Sequence, residues 1–159
     1  YDAEQYKHIT RHATNIIAPL GLGADVIVGF PGESEKSFEL TRKLIEELPF
    51  SYLHVFSYSP RSGTEAYSFK NNIKNTTKKE RNLILSNLVK EKAHLFYKSF
   101  IGRKVTVLIE EPKVDGVLKG YSEHYIPVRI DTESSLKNQL VPVIIKDVQK
   151  NELVGCLES

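Results

Sequence analysis

A short segment, Gly-Phe-Pro-Gly-Glu at residues 29–33 (the first bend), follows an apolar run and is a candidate for ligand chemistry. A P-loop needs four residues between its glycines and then a lysine, so that backbone N–H groups and an ammonium surround a phosphate. Gly29 and Gly32 are too close together, no lysine follows them, and Glu33 would repel an anion. The three-glycine fingerprint of dinucleotide-binding folds is also absent. Phosphate binding is therefore disfavoured.

Two interpretations of the first bend remain open. It can be a plain βα turn, in which glycines permit unusual backbone angles and Pro31 stiffens the path. Alternatively, Phe30 lies at the carboxyl end of a parallel strand, where α/β proteins build their ligand sites. A flat aromatic or adenine ring could then rest on Phe30, with backbone groups at Gly29 and Gly32 and the carboxylate of Glu33 close to its edge.

A second bend, residues 58–64 (YSPRSGT), follows another apolar segment and carries Tyr58, Arg61 and Thr64, with Phe56 just before it. If the two preceding strands are neighbours in a parallel sheet, both bends lie on one rim. The alternative is that Tyr58 is a core residue and Arg61 a solvated turn residue.

The remaining reactive side chains give weaker signals. His8 and His12 have the i, i+4 spacing of metal ligands, but no third ligand is evident, and an exposed helix face is the favoured interpretation. Cys156 is the only cysteine, which excludes an intramolecular disulfide and favours a cytoplasmic setting. It is expected to be a buried strand residue. No metal site is predicted.

Residues 1–98 are predicted to form an α/β layer. A helix at 4–18 precedes an apolar strand at 24–30 that is typical of strands covered on both faces. Ser34 caps a second helix, and a second strand follows at 51–59. The first helix is expected to bury Tyr6, Ile9, Ala13, Ile16 and Ile17, and the second Phe38, Leu44, Ile45 and Leu48.

Two strands alone leave two unpaired edges and too little core. We therefore expect neighbouring strands to lie upstream in a longer protein or to come from another chain. The absence of methionine and the start at Tyr1 favour a fragment in the same way.

A polar loop at 61–79 is predicted to lead, through a Thr77–Glu80 capping box, into a long helix that ends near Phe100. Its apolar face is expected to contain Leu83, Ile84, Leu88, Leu95 and Phe96. Five short β-rich segments follow and predict a small closed or half-closed β-barrel over 99–159. The fold class is thus α/β followed by all-β.

Charge is concentrated on the long helix. The net charge of the chain is only +2, which argues against strong overall attraction to nucleic acid, and no apolar run is long enough to cross a membrane. The basic residues of the helix either attract phosphates or form a solvated face.

On the barrel, the mixture of aromatic and basic residues typical of RNA binding consists of Lys119, Tyr121, His124, Tyr125 and Arg129. The alternative is that these are ordinary outward-facing residues.

Four segments together resemble a known family: "DVIVGFPGESEKSFE", "LHVFSYSPRSGTEA", "KKER" and "GYSEHYIPVRI". In order and spacing they are similar to the C-terminal half of the radical S-adenosylmethionine methylthiotransferases. "LHVFSYSPRSGT" is most similar to the MtaB type, which acts on N6-threonylcarbamoyladenosine next to the tRNA anticodon. The MiaB type, acting on isopentenyladenosine, and the RimO type, acting on a ribosomal protein, are close relatives.

The resemblance implies the last βα units of a TIM-like barrel, followed by an OB-like TRAM domain that binds the anticodon stem-loop of tRNA. It also implies S-adenosylmethionine and two [4Fe–4S] clusters in the full-length enzyme. The family's cofactor positions correspond to Val28, Gly29, Phe30, Pro31, Gly32, Glu33, Phe56, Tyr58 and Arg61. The cluster cysteines are absent here, so this chain alone is expected to bind no cofactor, to contain no catalytic residue and to be inactive.

Two other functions remain open on the sequence alone. The chain could be a non-catalytic RNA-binding adaptor whose barrel is the working part. It could also belong to a RimO-like enzyme, in which the weakly charged barrel would bind a protein.

Overall fold

The computed structural model describes residues 2–70, 73–114, 116–132 and 136–158. The chain divides into two compact units, Tyr1–Lys92 and Ala93–Ser159. The first unit contains α1 (Ala3–Ile16), β1 (Gly23–Val28), α2 (Glu35–Glu47), β2 (Tyr52–Ser57), a 3₁₀ turn (Glu65–Ser68) and most of α3 (Asn75–Lys98). None of the helices in these described ranges is both long and apolar enough to cross a membrane.

The first unit contains a parallel pair of strands, as the alternation of helices and strands predicts. β1 and β2 are in register from Gly23 opposite Tyr52 to Val28 opposite Ser57. The predicted cap of α2 is confirmed, because the Ser34 hydroxyl accepts a hydrogen bond from the backbone of Ser37 at 3.0 Å. The predicted inner face of α2 is confirmed as well: Phe38, Ile45 and Leu48 are buried, and Leu44 is partly buried.

The prediction that β1 is covered on both faces is wrong. Its Ala24, Val26 and Val28 pack in one core with residues of α1, α2 and α3. The alternate face is open, where Ile27 is 54% exposed and its register partner Phe56 is 51% exposed. All three helices pack on the same side of the two strands, and an apolar run does not reveal that one side lacks a cover.

The predicted inner face of α1 is also wrong in part. Tyr6 packs against the core and Thr10 is buried, whereas Ile9, Ile16 and Ile17 are more than half exposed. The cause is the placement of α1 beside the end of α2, where Lys7 forms a 2.7 Å ion pair with Glu47. This contact, with a second one to Glu4, raises the pKa of Lys7 above its ordinary value.

The long helix α3 begins earlier and turns a different face inward than predicted. It begins at Asn75, so Thr77 and Glu80 lie inside it and form no capping box. Its buried residues are Lys78, Arg81, Leu85 and Val89. Of the predicted apolar face, Leu88 and Phe96 are partly buried, while Leu83, Ile84 and Leu95 are exposed. The inward stripe begins with the alkyl chains of two cations, which an apolar pattern cannot reveal.

The second unit contains the predicted five-stranded barrel, which closes in the order β3-β4-β5-β7-β6. Its strands are β3 (Lys104–Val114), β4 (Val117–Ser122), β5 (Pro127–Asp131), β6 (Leu140–Gln149) and β7 (Glu152–Leu157). β5 and β7 are parallel, and the other pairs are antiparallel. This topology is compatible with an OB-like barrel. Cys156 is half-buried on β7 rather than buried as expected.

Gly120 permits a close approach of two strands in the barrel. A Cβ at this position of β4 would overlap the carbonyl oxygen of Leu108 on β3. The interior is filled by residues of all five strands, and Ile126, which precedes β5, is buried there with Val128 and Ile130.

Candidate functional site

The two bends lie side by side at the carboxyl ends of β1 and β2. The backbone N–H of Tyr58 donates to the carbonyl of Val28 at 2.8 Å, which extends the pairing of the strands into the second bend. The Phe30 ring meets the Tyr58 ring edge-on, with centroids 5.2 Å apart, and the Phe69 ring at 6.1 Å. The parallel sheet thus brings the two bends onto one rim, as their positions after neighbouring strands predict.

The first bend is closed on itself by its own carboxylate. Gly29 and Gly32 have positive φ angles of 72° and 85°, a conformation that favours glycine. The backbone N–H of Gly29 donates to Glu33 Oε2 at 2.6 Å, and the Glu33 N–H donates to the Phe30 carbonyl at 2.9 Å. Only 12% of the Glu33 side chain is exposed. Glu33 therefore orders the backbone of the bend.

Arg81 of α3 is the buried partner of that carboxylate. Its Nη1 donates to Glu33 Oε2 at 2.6 Å and to the Glu33 carbonyl at 3.1 Å, and its Nη2 donates to Glu35 at 2.9 Å. The guanidinium also lies 5.0 Å from the centre of the Phe38 ring. Burial lowers the pKa of Arg81, but the hydrogen bonds to Glu35 and Glu33 outweigh it and leave the pKa above its ordinary value.

Lys78, one turn earlier on α3, contacts both bends. Its Nζ donates to the carbonyl of Tyr58 at 3.0 Å and lies 5.3 Å from the centre of the Tyr58 ring. Its alkyl chain packs against Gly29, where a Cβ would overlap the Lys78 Cγ. Asn82 adds a third contact from α3, because its side-chain amide donates to the Val55 carbonyl of β2 at 2.9 Å.

Sequence reasoning missed these three residues of α3. The basic residues of the helix favoured a solvated or RNA-binding face, and Lys78 and Arg81 are instead buried in the described structure. Two sequence signals bear on the cations: Lys78 and Arg81 begin and end the segment KKER, and their spacing of three residues puts them on one side of a helix.

A cavity of about 380 Å³ opens between the end of β1 and the second bend. Its walls are largely apolar, and its lining includes Phe56, Tyr58 and Arg61 of the predicted site, together with Ile27. The Tyr58 hydroxyl donates to the Ala66 carbonyl at 3.1 Å, which folds the chain after the second bend back along one wall. Apolar walls with one guanidinium suit a ligand that joins a flat or apolar part to an anionic group.

The predicted residues of the first bend stand beside this cavity rather than in its lining. The Val28 side chain is fully buried in the core, and Gly29 is buried under Lys78. Pro31 is half-buried and Gly32 is exposed. Phe30, 40% exposed, offers the largest open side chain of the bend and touches Tyr58.

Four of the five predicted RNA-binding residues lie on or beside one face of the barrel. Lys119 of β4 and Arg129 of β5 are register partners, and the rings of Tyr121 and Tyr125 are 5.4 Å apart. Tyr125 occupies a turn with a φ of 60° and is 86% exposed. His124 is half-buried, and its ring lies 4.9 Å from that of Phe100.

Both cations of this face already have acidic neighbours. Lys119 Nζ lies 3.6 Å from Glu152, and Arg129 lies 3.3 Å from Asp131. All four side chains are at least one-third exposed, so these pairs add little stability. The cations can therefore exchange these partners for phosphates at small cost.

Metal chemistry has no support in the described part of the chain, where no group of three His, Cys, Asp or Glu side chains could hold an ion. The His8 and His12 rings lie parallel, 6.1 Å apart, on the exposed side of α1.

Comparison with curated proteins gives a consistent set of relatives, although no family model matches the chain. A Bartonella tribocorum protein named tRNA-2-methylthio-N(6)-dimethylallyladenosine synthase is 36% identical over 98% of the chain. Proteins of the same name from Ehrlichia canis and Ehrlichia chaffeensis are 36% and 33% identical, also over 98% of the chain. The chain spans about a third of the length of these relatives, between 34% and 36%.

Proposed function

We propose that this chain is the C-terminal part of a radical S-adenosylmethionine methylthiotransferase that modifies an adenosine next to the tRNA anticodon. The observation that carries the proposal is the contact between the two bends beside an apolar cavity, since two of the four segments that carry the family resemblance contain these bends. The relatives support a tRNA-modifying enzyme, because their names describe a 2-methylthio group on a tRNA adenosine.

Under this proposal, β1 and β2 are two strands of a larger TIM-like barrel. Their open face, with Ile27 and Phe56, would look into that barrel, and their unpaired edges would meet further strands. We assign residues 1–98 to this barrel with its connecting helix, and residues 99–159 to a TRAM domain.

The residues at the rim fit S-adenosylmethionine in chemical type. The Phe30 ring is open for an adenine to lie against, and Arg61 at the cavity could contact the carboxylate of the methionine part. Phe56 and Tyr58 would exclude water from the apolar wall between them. When bound in the full-length enzyme, S-adenosylmethionine would supply the radical that activates a substrate C–H bond.

The iron–sulfur clusters do not fit the residues of this chain. Clusters are held by several thiolates, and Cys156 is the only cysteine. We propose that the chain alone is inactive.

The barrel face supports RNA as its partner. In OB-like barrels, the second and third strands form the usual binding face, and these are β4 and β5 here. Lys119 and Arg129 would neutralise phosphates, while Tyr121 and Tyr125 would stack on unpaired bases. This face also favours the second candidate function, an RNA-binding adaptor without catalysis.

Two types of adenosine compete as the substrate. The motif at the second bend favours the MtaB type and N6-threonylcarbamoyladenosine, whereas the relatives' names refer to dimethylallyladenosine. We propose the MtaB type.

Nucleoside analysis of tRNA tests the function. In cells that lack the gene, mass spectrometry should show loss of the 2-methylthio group from one of the two hypermodified adenosines, and the nucleoside affected identifies the type. Unchanged tRNA nucleosides would contradict the enzymatic proposal and favour the adaptor or a protein substrate.

Filter binding of tRNA separates an RNA-binding adaptor from an enzyme with a protein substrate. Replacing Lys119, Tyr121 and Arg129 together by alanine should weaken tRNA binding at least about tenfold and make it less dependent on salt. A Lys146→Ala variant, changed at an exposed residue of β6, is the control. Equal binding by the two variants would argue against RNA as the partner of this face.

A further inference from the structure

Two buried cations of α3 donate hydrogen bonds to different bends. Lys78 and Arg81 are 8% and 5% exposed, respectively. They are three residues apart, so they project from the same side of the helix. Lys78 donates to the Tyr58 carbonyl in the second bend, and Arg81 donates to Glu33 in the first. One helical turn therefore touches both halves of the rim.

Simple packing does not explain the choice of these residue types. Burial of a charge is costly unless hydrogen bonds compensate it, and apolar residues of similar volume would fill the same space. A cation can also donate directed hydrogen bonds to backbone carbonyl groups that lie beyond the ends of the strands. The Glu33 and Tyr58 carbonyls are two such groups, and each receives a hydrogen bond from α3.

The contacts form a connected chain through both bends. Arg81 holds Glu33, and Glu33 Oε2 accepts from the Gly29 backbone. Gly29 lies under the alkyl chain of Lys78, whose ammonium holds the second bend at Tyr58. A shift of either bend relative to the other would break at least one of these contacts.

We propose that Lys78 and Arg81 are positioning residues, which fix both bends in the conformation that receives the ligand without lining the cavity. The geometric part of this inference is independent of the ligand. Its extension to S-adenosylmethionine rests on the proposed function.

The test compares two lysines that are adjacent in sequence, in the full-length protein. Lys78→Met keeps the length and apolar volume of the side chain but removes its donor, whereas Lys79→Met changes an exposed lysine. Hydrogen exchange of the backbone amides at 29–33 and 58–64 measures the order of the bends. Equilibrium dialysis with S-adenosylmethionine measures the affinity.

In Lys78→Met, which keeps the apolar contact with Gly29, exchange in the second bend should be about tenfold to a hundredfold faster than in Lys79→Met, while β1 and β2 stay protected. Affinity for S-adenosylmethionine should fall by a similar factor. Lys78→Arg, which restores a donor, should recover much of both losses.

Equal exchange in the Lys78→Met and Lys79→Met variants would overturn the inference. So would exchange in Lys78→Met that is faster over the whole first unit, because that pattern indicates a merely structural role. Arg81 is not used for this test, because its loss also leaves the buried carboxylate of Glu33 unpaired and destabilises the unit. If the wild-type protein does not bind S-adenosylmethionine, the proposed function fails, and the exchange of the bends still decides the positioning role.

Discussion

Replacing Arg81 by methionine removes the cation of a buried ion pair and leaves its carboxylate behind. Three hydrogen bonds disappear, two to Glu33 and one to Glu35. Methionine fills much of the same volume and can keep an apolar contact with the ring of Phe38. The loss is therefore mainly electrostatic.

The size of the destabilisation depends on how exposed Arg81 and its partners are. The side chains of Arg81 and Glu33 are 6% and 12% exposed, and breaking such a buried pair from one side costs about 3–5 kcal/mol. The Glu35 side chain is 81% exposed, so its contact contributes less than about 1 kcal/mol. We expect Arg81→Met to destabilise the first unit by about 3 kcal/mol.

Native-state hydrogen exchange at the paired amides of β1 and β2 is the assay, because it reports the opening of this unit separately from the barrel. A loss of about 3 kcal/mol corresponds to exchange roughly a hundredfold faster. The double variant Glu33→Gln, Arg81→Met removes the isolated charge as well and should be less destabilised than the sum of the single variants. An effect of Arg81→Met below about 1 kcal/mol, or strictly additive variants, would refute the reasoning.

Two further matched pairs test the packing of the same unit by the same exchange measurement. Gly29→Ala should lower the stability of the unit by at least about 1 kcal/mol more than Gly63→Ala. Both glycines have positive φ, but only at Gly29 would the new Cβ overlap another side chain. Equal losses of stability would contradict that contact. Leu85→Ala should destabilise the unit by about 2–5 kcal/mol, and Leu83→Ala by less than about 0.5 kcal/mol, because Leu85 is fully buried and Leu83 is 60% exposed. The reverse order would mean that α3 packs through its other face.

The positions of the elements could be predicted because the signals for them are local. Ser34 caps α2 through its own hydroxyl, and the β-branched runs of β1 and β6 favour strands. The rim was predictable for a related reason, since parallel neighbouring strands must end at the same edge. The barrel followed from five short segments whose alternate residues, such as Val128 and Ile130, are apolar.

The faces of the helices could not be predicted in the same way. Ile9 is exposed while Thr10 is buried, because the neighbours of α1 decide which side is covered. On α3, hydrophobicity pointed to Leu83 and Ile84, but the face that meets the strand ends begins with Lys78 and Arg81. A buried cation looks like a solvated one in sequence. Only the carbonyl and carboxylate groups of distant bends reveal the difference.

The role of Glu33 in the first bend could not be predicted from the sequence for the same reason, because its cationic partner lies far along the chain. The sequence predicts that Glu33 lies near the edge of a ligand, and the structure gives it two partners within the protein, Gly29 and Arg81. Its role in holding a cofactor stays a prediction, as do the roles of Phe30 and Arg61. The contact that makes the bend rigid comes from a helix 48 residues further along the chain.

The most direct test of the central claim is hydrogen exchange of the full-length protein with and without S-adenosylmethionine. If the two bends grip the cofactor, amides at 28–33 and 56–61 should become at least about tenfold more protected on binding, while the barrel strands β3 to β7 remain unchanged. Binding that leaves both bends unprotected would contradict the claim that this rim is the cofactor site.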